Sequence, residues 1–193
     1  MTFVLASASP RRAELLESAG FSFTVMPADV DETAFPGERP DDYARRVARA
    51  KAALVAAHVP AGTLILAADT VVVGANGRLM GKPLDAAEAA SMLRDLSGTV
   101  HEVHTAVVLT RHSVSVDAVT TTRVRFMELT EAEIDWYLRS GEAFGKAGAY
   151  GIQGRAARFI DWIDGSWSNV VGLPISTVYN LFQRIGVTQG PAH

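Results

Sequence analysis

The sequence predicts an α/β fold built on a mixed sheet. Short β-type runs and helix-patterned segments alternate through the first half of the chain, the order that generates parallel strands. Residues 63–73, TLILAADTVVV, are apolar without alternation and read as a strand covered on both faces. Two long segments rich in Val and Thr, residues 99–109 and 113–127, meet at TRHS and read as a hairpin, which adds antiparallel pairing.

Residues 3–6 form a short strand that feeds a helix. Ser9 reads as the N-cap, its hydroxyl accepting from a free backbone N–H, and Pro10 as the first helical residue, where a missing N–H costs nothing. Leu15, Leu16 and Ala19 give the apolar stripe, and Gly20 the stop. Residues 23–26 form a second strand, followed by the acidic turn ADVDE and a loop over 33–40 that contains Pro36, Gly37 and Pro40. The next helix covers about 41–58, with Tyr43, Val47, Ala50 and Leu54 on one face and Asp41 and Asp42 suited to its positive end. After the 63–73 strand, NGRLMGKP is turn and loop, and 85–96 a helix. Thr130 opens another helix with Glu133 three residues on, a capping box. Residues 141–154 form a glycine-rich connection, 158–167 a hairpin-like segment and about 174–185 the last helix, and the tail TQGPAH is expected to fray. No repeat, low-complexity block or linker interrupts the chain, so residues 1–193 are expected to form a single domain.

A chain of 193 residues can bury a substantial core, and 48% apolar with 20% charged residues is an ordinary globular balance. The formal net charge of −3 argues against broad adhesion to nucleic acid but leaves room for a small positive pocket. The absence of cysteine removes disulfides, thiolate metal sites and a cysteine nucleophile, and fits a cytoplasmic protein. No basic segment precedes a long apolar stretch at the start, and the most apolar run, 64–73, is too short to span a bilayer. A soluble protein without a membrane partner is expected.

Two arginines, Arg11 and Arg12, sit in the first turn of the first helix, where the positive end of the helix disfavours cations. A bound anion resolves the conflict: free N–H groups, the hydroxyls of Ser7 and Ser9 and two guanidinium groups would converge on one phosphate. Asp69 is the single charge in the run 64–73. A buried carboxylate there needs a cation, a metal or a strand end open to a cleft; the alternative is a bulge satisfied by backbone N–H groups. Asp29, Asp31 and Glu32 are hard-cation ligands or a solvated acidic turn. Lys51 falls on or beside the apolar stripe of its helix, while Arg45, Arg46 and Arg49 point elsewhere; the lysine either serves a site or lays its stem along the core. GRLMGKP fails as a P-loop, because its glycine spacing is one residue short and Pro83 replaces the hydroxyl residue. Lys82 can still meet a phosphate as a point charge. GEAFGKAGAYGIQG holds five glycines that allow close backbone approach, with Lys146 adding charge and Gln153 suited to a base edge or a phosphate. The histidines show no metal spacing and read as structural, and nothing supports a serine-hydrolase triad around Ser7 or Ser9. Scattered cations, a serine loop and metal-suited carboxylates together are equipment for a polyphosphate.

LASASPRRAELL, DVDE, AADTVVV, GKP, KAGAYGIQG and GSWSNVVGLP, in that order from residue 3 to about 185, resemble the Maf family of nucleoside triphosphate pyrophosphatases. The first segment and KAGAYGIQG are similar to the branch that hydrolyses dTTP and UTP, not to the sister branch acting on 7-methyl-GTP. The resemblance implies an elongated mixed sheet with flanking helices, in two lobes around a nucleotide-holding cleft, as in inosine triphosphate pyrophosphatases. It implies a cytoplasmic enzyme, often a homodimer, that needs a divalent cation such as Mg²⁺ or Mn²⁺ and is linked to septum formation and division arrest.

On the same resemblance, Ser7, Ser9, Arg11 and Arg12 grip the triphosphate, and Asp69 is the general base that activates water. Glu32 and Asp69 are the metal-side carboxylates. Lys51, Lys82 and Lys146 offset phosphate charge, Lys82 the charge that develops during reaction. Arg12, Thr70 and Gln153 match positions tied to substrate choice. Two alternatives stand beside this: a nucleotide-binding regulator of division that need not catalyse, and the same chemistry on modified or 7-methylguanosine nucleotides.

Overall fold

A computed structural model describes residues 2–187; the tail 188–193, expected to fray, lies outside them. The strands are β1 (Phe3–Ala6), β2 (Phe23–Val25), β3 (Ile65–Val73), β4 (Leu79–Met80), β5 (Val100–Arg111), β6 (Val114–Phe126) and β7 (Ile160–Asp164). The helices are α1 (Pro10–Ser18), α2 (Pro40–Ala56), α3 (Ala86–Leu96), α4 (Glu131–Arg139), α5 (Trp167–Val171) and α6 (Ile175–Arg184). One seven-stranded sheet runs β2-β1-β3-β5-β6-β7, with β4 added on β3. It is mixed, as expected: β1 lies parallel to β2 and to β3, with Ala6 opposite Ala67, whereas β4 on β3 and β7 on β6 are antiparallel.

Several local expectations are corrected. NGRLMGKP is not all loop, because Leu79 and Met80 pair with Val73 and Val72. The 158–167 segment is no hairpin: it starts in a 3₁₀ stretch (Arg155–Phe159), then β7 pairs with the distant β6, then α5 begins. On α1, Ala19 is exposed and Arg12 takes the buried place beside Leu15 and Leu16. On α2, Ala50 is exposed and Leu54 is 36% exposed; the buried stripe is Tyr43, Ala44, Val47, Ala48, Lys51, Ala52 and Val55. The capping box of Thr130 and Glu133 is present.

The chain divides into two compact units, one of Met1–Asp69, Thr105–Thr120 and Gly172–His193, the other of Thr70–His104 and Thr121–Val171. In the first, Phe3 packs its ring on Phe21, Phe23 and Phe182, which fixes the start of β1 against α6. In the second, Met80, Leu93, Leu96, Phe126, Tyr137 and Phe159 are fully buried in one cluster.

His101 lies inside the second unit, 1% exposed, with Nε2 2.8 Å from the Tyr150 hydroxyl and its ring edge-on to Phe126. Burial pulls its pKa down to about 4 from 6.5. The unfolded chain therefore takes up a proton that the folded protein refuses: stability is full above pH 6.5 and falls as pH drops toward 4. Between pH 7 and 4 this one residue should remove about 3 kcal/mol. His101→Gln should cost stability at pH 7, and that cost should shrink by a similar amount at pH 4 in urea titrations. A pH-independent difference between the two proteins would contradict the assignment.

Candidate active site

Asp69 sits in β3 between buried Ala68 and Val71, with Thr70 half-buried at its side, and is itself 5% exposed. Lys51, also 5% exposed, reaches it from the centre of the α2 stripe. Lys51 Nζ donates to Asp69 Oδ1 at 2.6 Å and lies 2.6 Å from Glu32 Oε1. Lys51 thus does not merely lay its stem along the core with its head in water: its ammonium is buried and compensated in charge by two carboxylates. Asp69 Oδ2 is buried and has no hydrogen-bond partner among the described residues. Burial pushes the Asp69 carboxyl above the usual aspartate range, against the pull of Lys51 and Arg12.

The loop before α1 brings the next residues to the same unit. Arg12 Nη1 donates to Ser7 Oγ at 3.1 Å and to the Ala68 carbonyl at 2.8 Å, and Arg12 Nε to the Gly172 carbonyl at 2.8 Å. Ala68 is the residue that precedes Asp69 in β3. Burial lowers the Arg12 pKa, Asp69 raises it and Arg11 lowers it. Ser9 occupies the N-cap, but its hydroxyl makes no capping bond; instead its N–H donates to Ser7 Oγ at 3.2 Å, the oxygen that Arg12 also holds. The first turn of α1 carries no acid to balance Arg11 and Arg12.

Of the acidic trio, only Glu32 turns inward. Asp29 and Asp31 are exposed, and Asp31 Oδ1 accepts from the Thr33 N–H at 2.8 Å in a local turn. Tyr43, placed by sequence in the apolar stripe alone, also makes a polar contact, its hydroxyl donating to the Glu32 carbonyl at 2.9 Å. Its position eight residues before Lys51, on the same helical face, is the signal that points to it. No group of three or more His, Cys, Asp or Glu side chains among the described residues could hold a metal ion.

In the second unit, Lys82 and Gln153 are exposed, and Thr70 and Lys146 half-buried. The loops that carry Lys82 and Lys146 are stitched together, because the Gly148 N–H donates to the Gly81 carbonyl at 3.1 Å. Gly148 has φ +68°, and a Cβ there would lie 2.9 Å from Val72. Lys146 Nζ donates to the Glu142 carbonyl, and its stem covers Gly151, where a Cβ would meet Lys146 Cε at 2.7 Å. The glycines of KAGAYGIQG are there for close approach of this kind. His101 and His104 engage Tyr150, and Glu102 with Thr121, respectively.

Chemically, the first unit offers a sheltered carboxylate with one oxygen bonded to a lysine and the other buried without a hydrogen-bond partner among the described residues. A second carboxylate, Glu32, meets the same lysine, and the charge of Arg12 acts on Asp69. Burial makes such a carboxylate a stronger proton acceptor than an exposed aspartate, and the cations match a multiply charged anion.

The model of the family described as Maf-like protein matches residues 2–185. The chain is 52% identical over 187 residues to a dTTP/UTP pyrophosphatase of Anaeromyxobacter dehalogenans, covering 95% of this chain and 93% of that protein. It is 49% identical over 187 residues to a dTTP/UTP pyrophosphatase of Koribacter versatilis, covering 97% and 96%. Among solved structures it is similar to the Staphylococcus aureus Ham1 protein over 65% of this chain and 72% of that chain, at 16% identity and a TM-score of 0.46.

Proposed function

Because the chain belongs to the Maf-like protein family, we propose that it is a nucleoside triphosphate pyrophosphatase that converts dTTP and UTP to the monophosphate and pyrophosphate. The observation that carries this reading is the Asp69 carboxylate, buried beside Lys51 with Oδ2 unpartnered among the described residues. Hydrolysis between the α- and β-phosphates needs a water made nucleophilic, a leaving pyrophosphate stabilised and a highly charged tail held still. Asp69 takes the proton of the attacking water; its raised pKa makes it a better proton acceptor than an exposed aspartate. Ser7, Ser9, Arg11 and Arg12 hold the triphosphate. Lys51 keeps Asp69 charged and oriented, and Lys82 and Lys146 offset charge on the phosphates, Lys82 on the departing pyrophosphate. Arg12, Thr70 and Gln153 set the choice of base. A pocket that hydrogen-bonds the O4 and N3–H of uracil or thymine leaves groups unpaired against cytosine or adenine.

A divalent cation, Mg²⁺ or Mn²⁺, fits the donor set. Glu32 and Asp69 are two carboxylates on one lysine, Asp69 Oδ2 has no other partner among the described residues, and Mg²⁺ is commonly held by one or two carboxylates plus substrate phosphates. When bound, such an ion neutralises phosphate charge. We place the enzyme in the cytoplasm and expect a homodimer.

Purified protein offered a panel of dTTP, UTP, CTP, ATP and 7-methyl-GTP with Mg²⁺ or Mn²⁺ should release monophosphate and pyrophosphate from dTTP and UTP foremost. Removal of divalent ions with a chelator should reduce turnover by about 100-fold or more. Inertness toward both dTTP and UTP with every divalent ion would overturn the reading, and preference for 7-methyl-GTP would move the chemistry to the methylated substrate.

A further inference from the structure

We propose that Arg46 is a positioning residue that holds the loop carrying Glu32, and through it keeps the Glu32 carboxylate on Lys51. The proposal rests on the pyrophosphatase reading of the Asp69–Lys51–Glu32 cluster. Glu32 lies in a stretch, residues 26–39, that has neither helix nor strand, so no ladder of backbone bonds fixes it. Its carboxylate nevertheless meets Lys51 Nζ at 2.6 Å. Something must supply the order that the backbone does not.

One guanidinium does so. Arg46 Nε donates to Glu38 Oε1 at 2.7 Å, and Nη2 donates to Glu38 Oε2 at 2.8 Å. Nη2 also donates to the Thr33 carbonyl at 2.9 Å. Glu38 Oε2 in turn accepts from the Phe35 N–H at 3.0 Å, which closes the loop on itself. The guanidinium lies over the Phe35 ring, its Cζ 4.1 Å from the centroid, and 5.5 Å from the centroid of the Tyr43 ring. This accounts for Phe35, which is 58% exposed yet apolar: its partner is a cation.

The bonds from α2 fall on successive carbonyls, Tyr43 on Glu32 and Arg46 on Thr33. Glu32 is therefore gripped by its main chain from the same helix that presents Lys51. Such a grip requires a bidentate, planar, stacking donor, which lysine does not provide. Arg46 touches neither the reacting atoms nor Lys51 among the contacts described. Its effect should pass through Glu32 alone.

The test combines kinetics with amide exchange. Arg46→Ala should lower kcat for UTP by about tenfold with KM changed less than about twofold, since the residues assigned to hold the triphosphate are untouched. In a Glu32→Ala background the same substitution should add less than about a twofold loss. Amide exchange at Thr33 and Phe35 should accelerate by about tenfold or more, with α2 keeping its protection. Arg46→Lys should reproduce these changes, and serves alone should Arg46→Ala not fold. Wild-type kcat and unchanged loop exchange would overturn the proposal, as would an undiminished tenfold loss in the Glu32→Ala background. Were the wild-type protein itself inert, the pyrophosphatase reading would fall, and the exchange at Thr33 and Phe35 would decide by itself whether Arg46 holds the loop.

Discussion

Asp69→Asn will leave the protein folded while reducing turnover of dTTP and UTP by about 10²–10⁴-fold, the usual contribution of a positioned general base. The substitution keeps the volume and removes the charge. Lys51 retains Glu32 as a partner at 2.6 Å, so the buried ammonium is not abandoned. Asparagine also removes the cost that burial places on the carboxylate, so the thermal midpoint should hold or rise. Retained nucleotide binding without turnover is the expected signature, and a division phenotype that survived this loss would favour the regulatory alternative. Burial raises the Asp69 pKa, so the acid limb of kcat/KM should lie above the 3.8 of an ordinary aspartate, with activity falling as Asp69 takes up a proton. Full activity in Asp69→Asn would remove the residue from the chemistry.

Lys51→Met should be the most destabilising single change in the site. It strips Asp69 Oδ1 of its one described donor and leaves a carboxylate buried in a strand whose neighbours are apolar. Breaking a buried pair from one side costs about 3–5 kcal/mol, or about 10 °C in thermal midpoint for a chain of this size. Arg12, whose charge also favours ionised Asp69, tempers the loss. The double substitution Lys51→Met with Asp69→Asn should recover most of the stability and none of the activity, because the uncompensated charge goes while the chemistry stays absent. A Lys51→Met protein that melts within a degree or two of wild type would show that the pair does not support the fold.

The charged site was legible where sequence alone isolates a residue. Asp69 stands out as a single charge in an apolar strand, and its burial follows from its neighbours. Lys51 was harder to place, since the alanines of α2 are compatible with more than one face. Choosing Ala50 and Leu54 for the stripe put the lysine at its edge, whereas the packed face runs through Tyr43, Val47, Lys51 and Val55 at steps of four. Ser9 shows the limit of residue-type rules: it sits at the N-cap, yet its hydroxyl makes no cap bond, and the polar contact it does make is from its N–H to Ser7 Oγ, the oxygen that also accepts from Arg12. The two residues of β4 are too few to show a period, and β7 pairs with a strand more than thirty residues earlier, which no local pattern records. The grip of Arg46 on the Glu32 loop is likewise a matter of tertiary reach, invisible in a helix that carries arginines at 45, 46 and 49.

The most direct measurement is hydrolysis of UTP in ¹⁸O-labelled water, with the products separated by mass. Attack on the α-phosphate by a water that Asp69 has deprotonated places the label in UMP and leaves the pyrophosphate unlabelled. Label in pyrophosphate or in inorganic phosphate would mean that the bond broken, and therefore the group that Asp69 faces, is a different one.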